Sequence, residues 1–524
     1  MKLIFIIVLI CFTEIVSAQQ KSFNYTVSPP YKVIDGYPKY YFADKENKHV
    51  LMVKFGRRDI FIQRFDANTM KEVLVKKHKK NREQILQKIT VIDGKVHYFY
   101  TMWDKQRKMH QLWVQEIDSE NCTFSTKRKK LIEVNEHVKF SFIFSQNQTR
   151  LLIKYRKRPE KVRDAVNFDK IGMHIFDESL ELITSNEIKM PYTEKQMDNI
   201  DYHIDQEGNA YVLARVRPDG SNKNYIGKGR NKTINYQIEL LKVNVKKNNV
   251  KISKIELEQY GINTIYLYDG FDNNMICAGF YNNVKNNTGN ADGLFLFKVD
   301  EEGIITDKKF YEIPVEILNQ YKKARVQEIN KKKDEKGKAE FSSLVLRNIH
   351  IQEDNSIIIV GEQYFVRTHT FTDANGNTST RYSYHFYDIL VSKISPEGNL
   401  EWMRKLPKRQ ISGSPYGGCG FRYMTIKDKH YFVFLDNVKN MELKLDQYPA
   451  VHSDGKGGYL TSYSINNDGG KVDKISILNT RDIKGGYKVF QFYTARILPI
   501  SDNEFVTEFY KKKKQDIMIK VKVE

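Results

Sequence analysis

The chain has 524 residues, 40% of them hydrophobic and 12% aromatic, enough apolar material for a large core and well outside the range of disordered chains. Its 85 Lys and Arg against 64 Asp and Glu give a net charge of +21, yet no recognition-helix, zinc-finger or RNP pattern accompanies them, which argues against specific nucleic-acid binding. Tyr 32 and Phe 30 beside only 12 Pro, with many Val and Ile, favour strands over helices.

In chain order, the first element is a leader. Lys2 precedes the apolar run Leu3 to Phe12, and small Ser17 and Ala18 precede Gln19, the pattern of a signal peptide spanning 1–18 and cleaved after Ala18. The run falls short of the roughly 20 residues a membrane span needs, Glu14 ends its apolar character, and no later stretch is long and apolar enough to span a bilayer. Cys11 comes after Ile10, where a lipoprotein requires a small residue. The expected location is secreted or periplasmic, with residues 19–524 forming one domain. Cys122, Cys277 and Cys419 then remain, far apart and in no C-x-x-C pair, so they read as small buried hydrophobes rather than a zinc site or a disulfide framework.

After an isolated strand at Phe23 to Val27, one plan recurs. A strand, turn and strand, such as TVIDGKVHYFYTMW from Thr90 or YHIDQEGNAYVLARV from Tyr202, is followed by a second strand, turn and strand, such as RDIFIQRFDANTMKEVLVKKH from Arg58 or YDILVSKISPEGNLEWMRKLP from Tyr387. The apolar residue before the later turn marks the copies at Phe65, Ile117, Phe176, Val243, Val299, Ile394, Ile465 and Val521, spaced roughly 50 to 70 residues apart except for one gap of about 95. A lone hairpin is marginal in water. Four-stranded units arranged radially bury their faces on each other and leave only short edges. The expected fold is therefore all-β, a single β-propeller of about eight (alternatively seven) four-stranded antiparallel blades. The last copy stops after its third strand at FVTEFYKKKKQDIMIKVKVE, so pairing of the N- and C-terminal strands is expected to complete it.

Insertions fall between these elements. Asn319 to Glu340 is highly charged and predicts a helical or disordered insertion near 319–340, while Arg217 to Thr233 and Thr368 to Ser383 lengthen hairpins between second and third strands. Lysine runs at Lys76 to Lys80, Lys127 to Lys130, Lys331 to Lys333 and Lys511 to Lys514 are spread along the chain.

The segments IIIVGEQYF (Ile357 to Phe365) and YDILVSKISPEGNLEWMRKLP resemble the repeats of secreted bacterial β-propellers common in Bacteroidota. Gly361, Glu362, Asp388, Lys393, Gly398 and Trp402 carry the resemblance in one unit, and Gly279, Asp292, Lys298 and Gly303 in the unit before it. It implies a secreted propeller and no particular activity. Its glycines suit turns of positive φ, and its Asp and Lys suit exposed strand positions.

Chemistry is sparse. Three Trp are too few for a quinone-dependent dehydrogenase propeller, and neither sialidase boxes, a G-x-S-x-G elbow nor an H-E-x-x-H pair occurs. DANGN (Asp373 to Asn377) begins like a calcium loop, but Tyr384 stands where a bidentate Glu is required, which favours a hairpin tip. GSPYGGCGFR, from Gly413 to Arg422 around Tyr416 and Cys419, reads as a loop entering a strand, not a phosphate cradle. His203 and His385 are flanked by Tyr, and no two His lie at ligand spacing on one face. Six N-x-S/T sequons occur, at Asn24, Asn121, Asn147, Asn231, Asn286 and Asn377. No catalytic residue, metal or cofactor is assigned. The expectation is a scaffold binding a protein or an anionic polysaccharide; a polysaccharide lyase or glycoside hydrolase with a site at the channel mouth is the alternative.

Overall fold

Sheets covered on both faces need strands that are apolar at nearly every position, and the second strands of the repeats have that character. HVLMVKF (His49–Phe55) is buried from Val50 to Phe55, and MICAGFYNN (Met275–Asn283) is buried throughout except its last residue. In the computed structural model, which describes residues 23–44, 46, 48–159, 166–227, 233–255, 260–270, 274–283, 290–300, 302–415, 417–453 and 457–524, eight sheets of at least four antiparallel strands succeed one another in chain order. The leader at 1–18, Tyr416 and the sequons Asn231 and Asn286 lie outside the described residues.

Sheet 1 comprises Lys39–Ala43, His49–Phe55, Asp59–Asp66 and Glu72–Lys79; sheet 2 comprises Ile85–Ile92, Lys95–Asp104, Met109–Asp118 and Thr123–Val134. Sheet 3 comprises Ser141–Phe144, Arg150–Arg156, Phe168–Asp177 and Leu182–Thr193; sheet 4 comprises Met197–Ile204, Ala210–Val216, Gln237–Asn244 and Asn249–Ile255. Sheet 5 comprises Tyr260–Asp269, Met275–Asn283, Gly293–Val299 and Ile305–Glu312; sheet 6 comprises Leu344–Ile351, Ile357–Thr372, Thr378–Ile394 and Leu400–Leu406. Sheet 7 comprises Arg422–Ile426, Lys429–Asp436, Tyr459–Asn466 and Val472–Asn479. Sheet 8 takes Ile497–Ser501, Glu504–Lys512 and Gln515–Val523 from the end of the chain, and Phe23–Val27 pairs antiparallel with the last of these, from Phe23 opposite Val523 to Val27 opposite Ile519.

All eight landmark residues lie on third strands and are buried, Ile117 the most open at 2% exposure. Because successive side chains point to opposite faces, one strand serves two neighbours. Leu51, Val53 and Phe55 pack with Ile89, Tyr98 and Ile117 of sheet 2, while Val50 and Met52 pack with Val506 and Met518 of sheet 8. Corresponding clusters join sheets 2 and 3, 3 and 4, 4 and 5, 5 and 6, 6 and 7, and 7 and 8. Antiparallel sheets packed face on face in succession make a propeller-type fold.

The fourth strands differ from the second. EVLVKKHK (Glu72–Lys79) alternates between half-buried and exposed residues, as an outer edge facing water does. The charged insertion is helical, with α1 at Val315–Asn319 and α2 at Ala324–Asp334, and no residue of α2 is buried. Tyr321, between them, donates its N–H to the Leu445 carbonyl at 2.6 Å, tying the insertion to the long loop of sheet 7. Among the described residues no helix is long and apolar enough to cross a membrane.

Two expectations drawn from the family resemblance need correction. Gly398 and Gly303 do turn at φ +77° and +79°, but Gly361 and Gly279 lie inside second strands. There a Cβ on Gly279 would sit 1.8 Å from the Thr264 carbonyl oxygen, and one on Gly361 would sit 2.7 Å from the Phe280 ring, so close approach rather than φ requires glycine. Asp388 and Lys393 are not exposed either, at 3% and 4% exposure. Asp388 takes Lys322 at 3.1 Å and Lys405 at 3.5 Å, and Lys393 reaches Glu401 at 3.0 Å.

Candidate functional site

The two ends of the sheets are unequal. Turns from first to second and from third to fourth strand are short, and several are held by Asx-type contacts; Asp118 Oδ1, for example, accepts from the N–H groups of Glu120 and Asn121. At the opposite end lie the long connections, 217–236, 313–343 and 437–458, together with the ribbon of sheet 6 that runs past its neighbours to the tip at 373–377. Loops placed by a rigid frame are where binding residues concentrate. The tip is a hairpin turn as expected: Asp373 Oδ1 accepts from the N–H groups of Asn375 and Asn377 at 2.9 and 2.8 Å.

Charge converges on this end over sheets 1 and 2. A groove of about 970 Å³ is bordered by Arg57 and Arg58 from the second turn of sheet 1, Lys77 and Lys79 from its outer strand, and Lys80 and Arg82 from the link to sheet 2. Asp59 is the carboxylate lining it, 3.2 Å from Lys77. Tyr37, at 83% exposure, stands at its rim with Ile85 at 62%. The segment 32–35 adjoins Arg57 and Arg58, and Val33 donates its N–H to the Lys514 carbonyl at 2.9 Å, which brings the turn holding Lys511 to Lys514 alongside. Of the four lysine runs, only that at Lys76 to Lys80 lines the groove; Lys511 and Lys512 lie over the rings of Tyr487 and Phe490. Those at Lys127 to Lys130 and Lys331 to Lys333 lie elsewhere, on the outer strand of sheet 2 and on α2.

A second cavity, of about 840 Å³, opens between sheets 3 and 4. Arg156 closes the second strand of sheet 3 and is gripped by Asp169 of the third strand and by Glu194 in the link just past the fourth. Burial and a hydrogen bond with Asp169 raise the Glu194 pKa, partly offset by Arg156. Asn199 donates its amide to Asp169 Oδ2 at 2.9 Å. Lys154 lies beside them, its Nζ 3.5 Å above the Tyr202 ring, and burial brings its pKa down to about 8.

An Asp recurs on, or just before, five third strands toward the loop-bearing end: Asp59, Asp169, Asp292, Asp388 and Asp516. The resemblance singled out only Asp292 and Asp388; the signal that finds the others is an Asp five to seven residues before the landmark of its strand. Burial raises the Asp292 pKa to about 6 and the Asp516 pKa to about 7, the latter also through Glu508. Glu508 and Asp516 sit where sheets 8 and 1 meet. Glu508 holds Lys54 at 2.8 Å and Arg496 at 3.3 Å and accepts the hydroxyls of Tyr31 and Tyr41 at 2.9 and 2.8 Å.

The two histidines flanked by Tyr do not share a site. His203 is driven down to about 4 by burial, and His385 is held between the Ser383 and Tyr387 hydroxyls at 3.0 and 3.1 Å. Cys122, Cys277 and Cys419 are buried. Among the described residues no group of three His, Cys, Asp or Glu side chains is placed to hold a metal ion.

No family model matches the sequence, and no curated protein matches it. Among solved structures, the chain is similar to one from a study of two prolyl endopeptidases, over 94% of its own length and 55% of that chain, with 10% identity and a TM-score of 0.38. It is similar to the WD40 domain of SCAP from fission yeast over 96% of its length and 98% of that chain, at 8% identity and a TM-score of 0.35. It is also similar to the β-propeller domain of the Trilobed protease from Pyrococcus furiosus over 87% of its length and 96% of that chain, at 12% identity and a TM-score of 0.31. The chain thus spans about half the length of the prolyl endopeptidase it matches.

Proposed function

We propose that this chain is an exported propeller of eight blades, closed by the pairing of its first and last strands, whose loop-bearing end binds an acidic glycan. The eight packing clusters and the register of Phe23–Val27 on Gln515–Val523 support the architecture. The observation that carries the binding reading is the groove of Arg57, Arg58, Lys77, Lys79, Lys80 and Arg82, where six cations face one carboxylate beside an exposed Tyr37. Cations this close repel one another, and a polyanion relieves that repulsion while the ring of Tyr37 offers a flat apolar surface for a sugar. A protein with an acidic face is the other ligand class the groove fits.

The test is binding of the mature protein to an array of acidic and neutral polysaccharides, with a pull-down for protein partners. Uronate polymers bind and neutral ones do not, and affinity falls as salt rises. Replacing Arg57, Arg58 and Arg82 together by Glu weakens polymer binding by about tenfold or more, equivalent to at least about 1.4 kcal/mol. Equal binding by the wild type and the triple variant sinks the groove. The leader is tested by the intact mass of protein exported from a secretory host, which begins at Gln19.

One observation favours a second reading, a polysaccharide-active enzyme. Glu194 and Asp169 are hydrogen-bonded carboxyl groups in a cavity that also holds Lys154, whose pKa of about 8 suits proton transfer near neutrality. Formation of new reducing or unsaturated ends from a bound polymer, abolished in both Lys154→Met and Glu194→Gln, would establish it.

A further inference from the structure

Where sheets 6 and 7 adjoin, a third cavity of about 440 Å³ opens at the same end of the molecule, and its charges do not balance. Arg422 begins the first strand of sheet 7, with its side chain open to the solvent of the cavity. The glycine-rich loop before it is pinned by the Gly420 N–H, which donates to Gln410 Oε1 at 2.8 Å with Gly420 at φ +89°, and this fixes where the strand begins. Among the described residues Arg422 has neither a carboxylate within 4.0 Å nor a hydrogen-bond acceptor, and the protein packed around it lowers its pKa from the ordinary value by desolvation.

A second guanidinium comes from across the cavity. Arg347 is the extra residue of a bulge in the first strand of sheet 6, where the register shifts between Leu346 and Asn348. Bulges re-aim side chains at sheet edges. Arg347 sets Nε and Nη2 on Glu362 Oε2 at 2.8 and 2.7 Å, while Glu362 Oε1 takes Lys408 at 2.7 Å. One carboxylate therefore serves two cations before Arg422 is counted, leaving two positive charges in excess. Asn348, also on the wall, has a side-chain amide with no partner among the described residues. Phe386, Phe421 and Tyr423 supply aromatic walls.

A guanidinium without a counter-ion is free to take one, and its planar fork of donors matches a carboxylate in two-point contact. The cavity has the dimensions of a small-molecule site. Its aromatic walls suit the apolar face of a pyranose, and the free amide of Asn348 suits ring hydroxyls. We infer that Arg422, backed by Arg347, binds the carboxylate of a single uronic acid residue in this cavity. The assignment rests on the reading of the molecule as an acidic-glycan binder and specifies which sugar unit it holds.

Titration of the full mature chain with glucuronate and galacturonate, with the corresponding neutral hexoses and with inorganic sulfate, followed by ligand-observed NMR, tests it. A hexuronate binds saturably, the neutral hexoses do not, Arg422→Gln weakens binding by about tenfold or more, and Arg422→Lys falls between. In the wild type, the hexuronate protects Arg422 from phenylglyoxal, read by peptide mass, so the outcome does not depend on a variant folding. Unchanged binding in Arg422→Gln, equal binding of hexose and hexuronate, displacement by sulfate as effective as by hexuronate, or absence of protection each overturns the proposal. The groove variant at Arg57, Arg58 and Arg82 separates the two readings. Hexuronate binding without any polymer binding overturns the glycan reading and leaves the Arg422 site, whereas polymer binding without hexuronate binding overturns the site alone.

Discussion

Glu508 is fully buried and would be an uncompensated charge without its partners. Burial pushes its pKa up, but Lys54, Lys39 and Arg496 outweigh burial and hold the carboxyl well below the usual carboxylate range. Lys54 is itself 0% exposed. Glu508→Gln therefore strands an ammonium away from water, and a loss of about 3–5 kcal/mol is expected in chemical denaturation. The neighbouring Asp516 behaves in the opposite sense. Its folded pKa of about 7 stands above the unfolded value of about 3.9, so the folded state holds the proton more tightly. Stability is unaffected below about pH 4 and is lost as pH climbs from about 4 to 7, by up to about 1.4 kcal/mol per pH unit. Glu508 contributes above its unfolded pKa of about 4.3, and that contribution fades as pH falls below it. Asp516→Asn is accordingly expected to match the wild type in denaturation midpoint at pH 4, to exceed it increasingly up to about pH 7 and to level off above that. None of these pairings was legible in the sequence. Lys54 and Glu508 are separated by 454 positions, and only the register of two different sheets brings them together.

Hairpins, by contrast, were legible because their determinants are local. Alternation marks a strand, a polar Asx or Gly turn marks its end, and the apolar residue before the turn marks the third strand at Phe65 as at Val521. The insertion's helices were half legible: charge fixed it as a surface segment, while its anchoring through Tyr321 depended on a loop more than a hundred residues later. The meaning of Gly279 and Gly361 was misread, since both sit opposite places where the register of the first strand shifts, and bulges leave no local signature. Gly279→Ala drives a methyl into the Thr264 backbone, whereas a Cβ on Gly376, at the ribbon tip with φ +81°, meets nothing within 4 Å. Thermal unfolding should separate the two. Gly376→Ala is expected to lose about 1 kcal/mol from backbone strain alone, and Gly279→Ala several kcal/mol.

At the scale of the molecule, each sheet has little stability of its own and depends on the two it touches. The strand Phe23–Val27 supplies the outer edge of sheet 8, with Phe23 packed against Tyr431 of sheet 7 at a ring separation of 6.0 Å. Deleting residues 23–27 leaves Ile519 to Val523 as a bare edge, while Tyr31 and Lys32 still pair with Asp516 and Gln515. The expected result is a loss on the order of 5 kcal/mol with onset of self-association, read by denaturation and light scattering. The same topology constrains time as well as strength. Phe23 is synthesised 500 residues before Val523, the partner it pairs with, so this strand waits unpaired while the intermediate sheets are made. Contacts of such separation form late and slowly, so the pairing of Phe23–Val27 with Gln515–Val523 is expected among the last steps of folding.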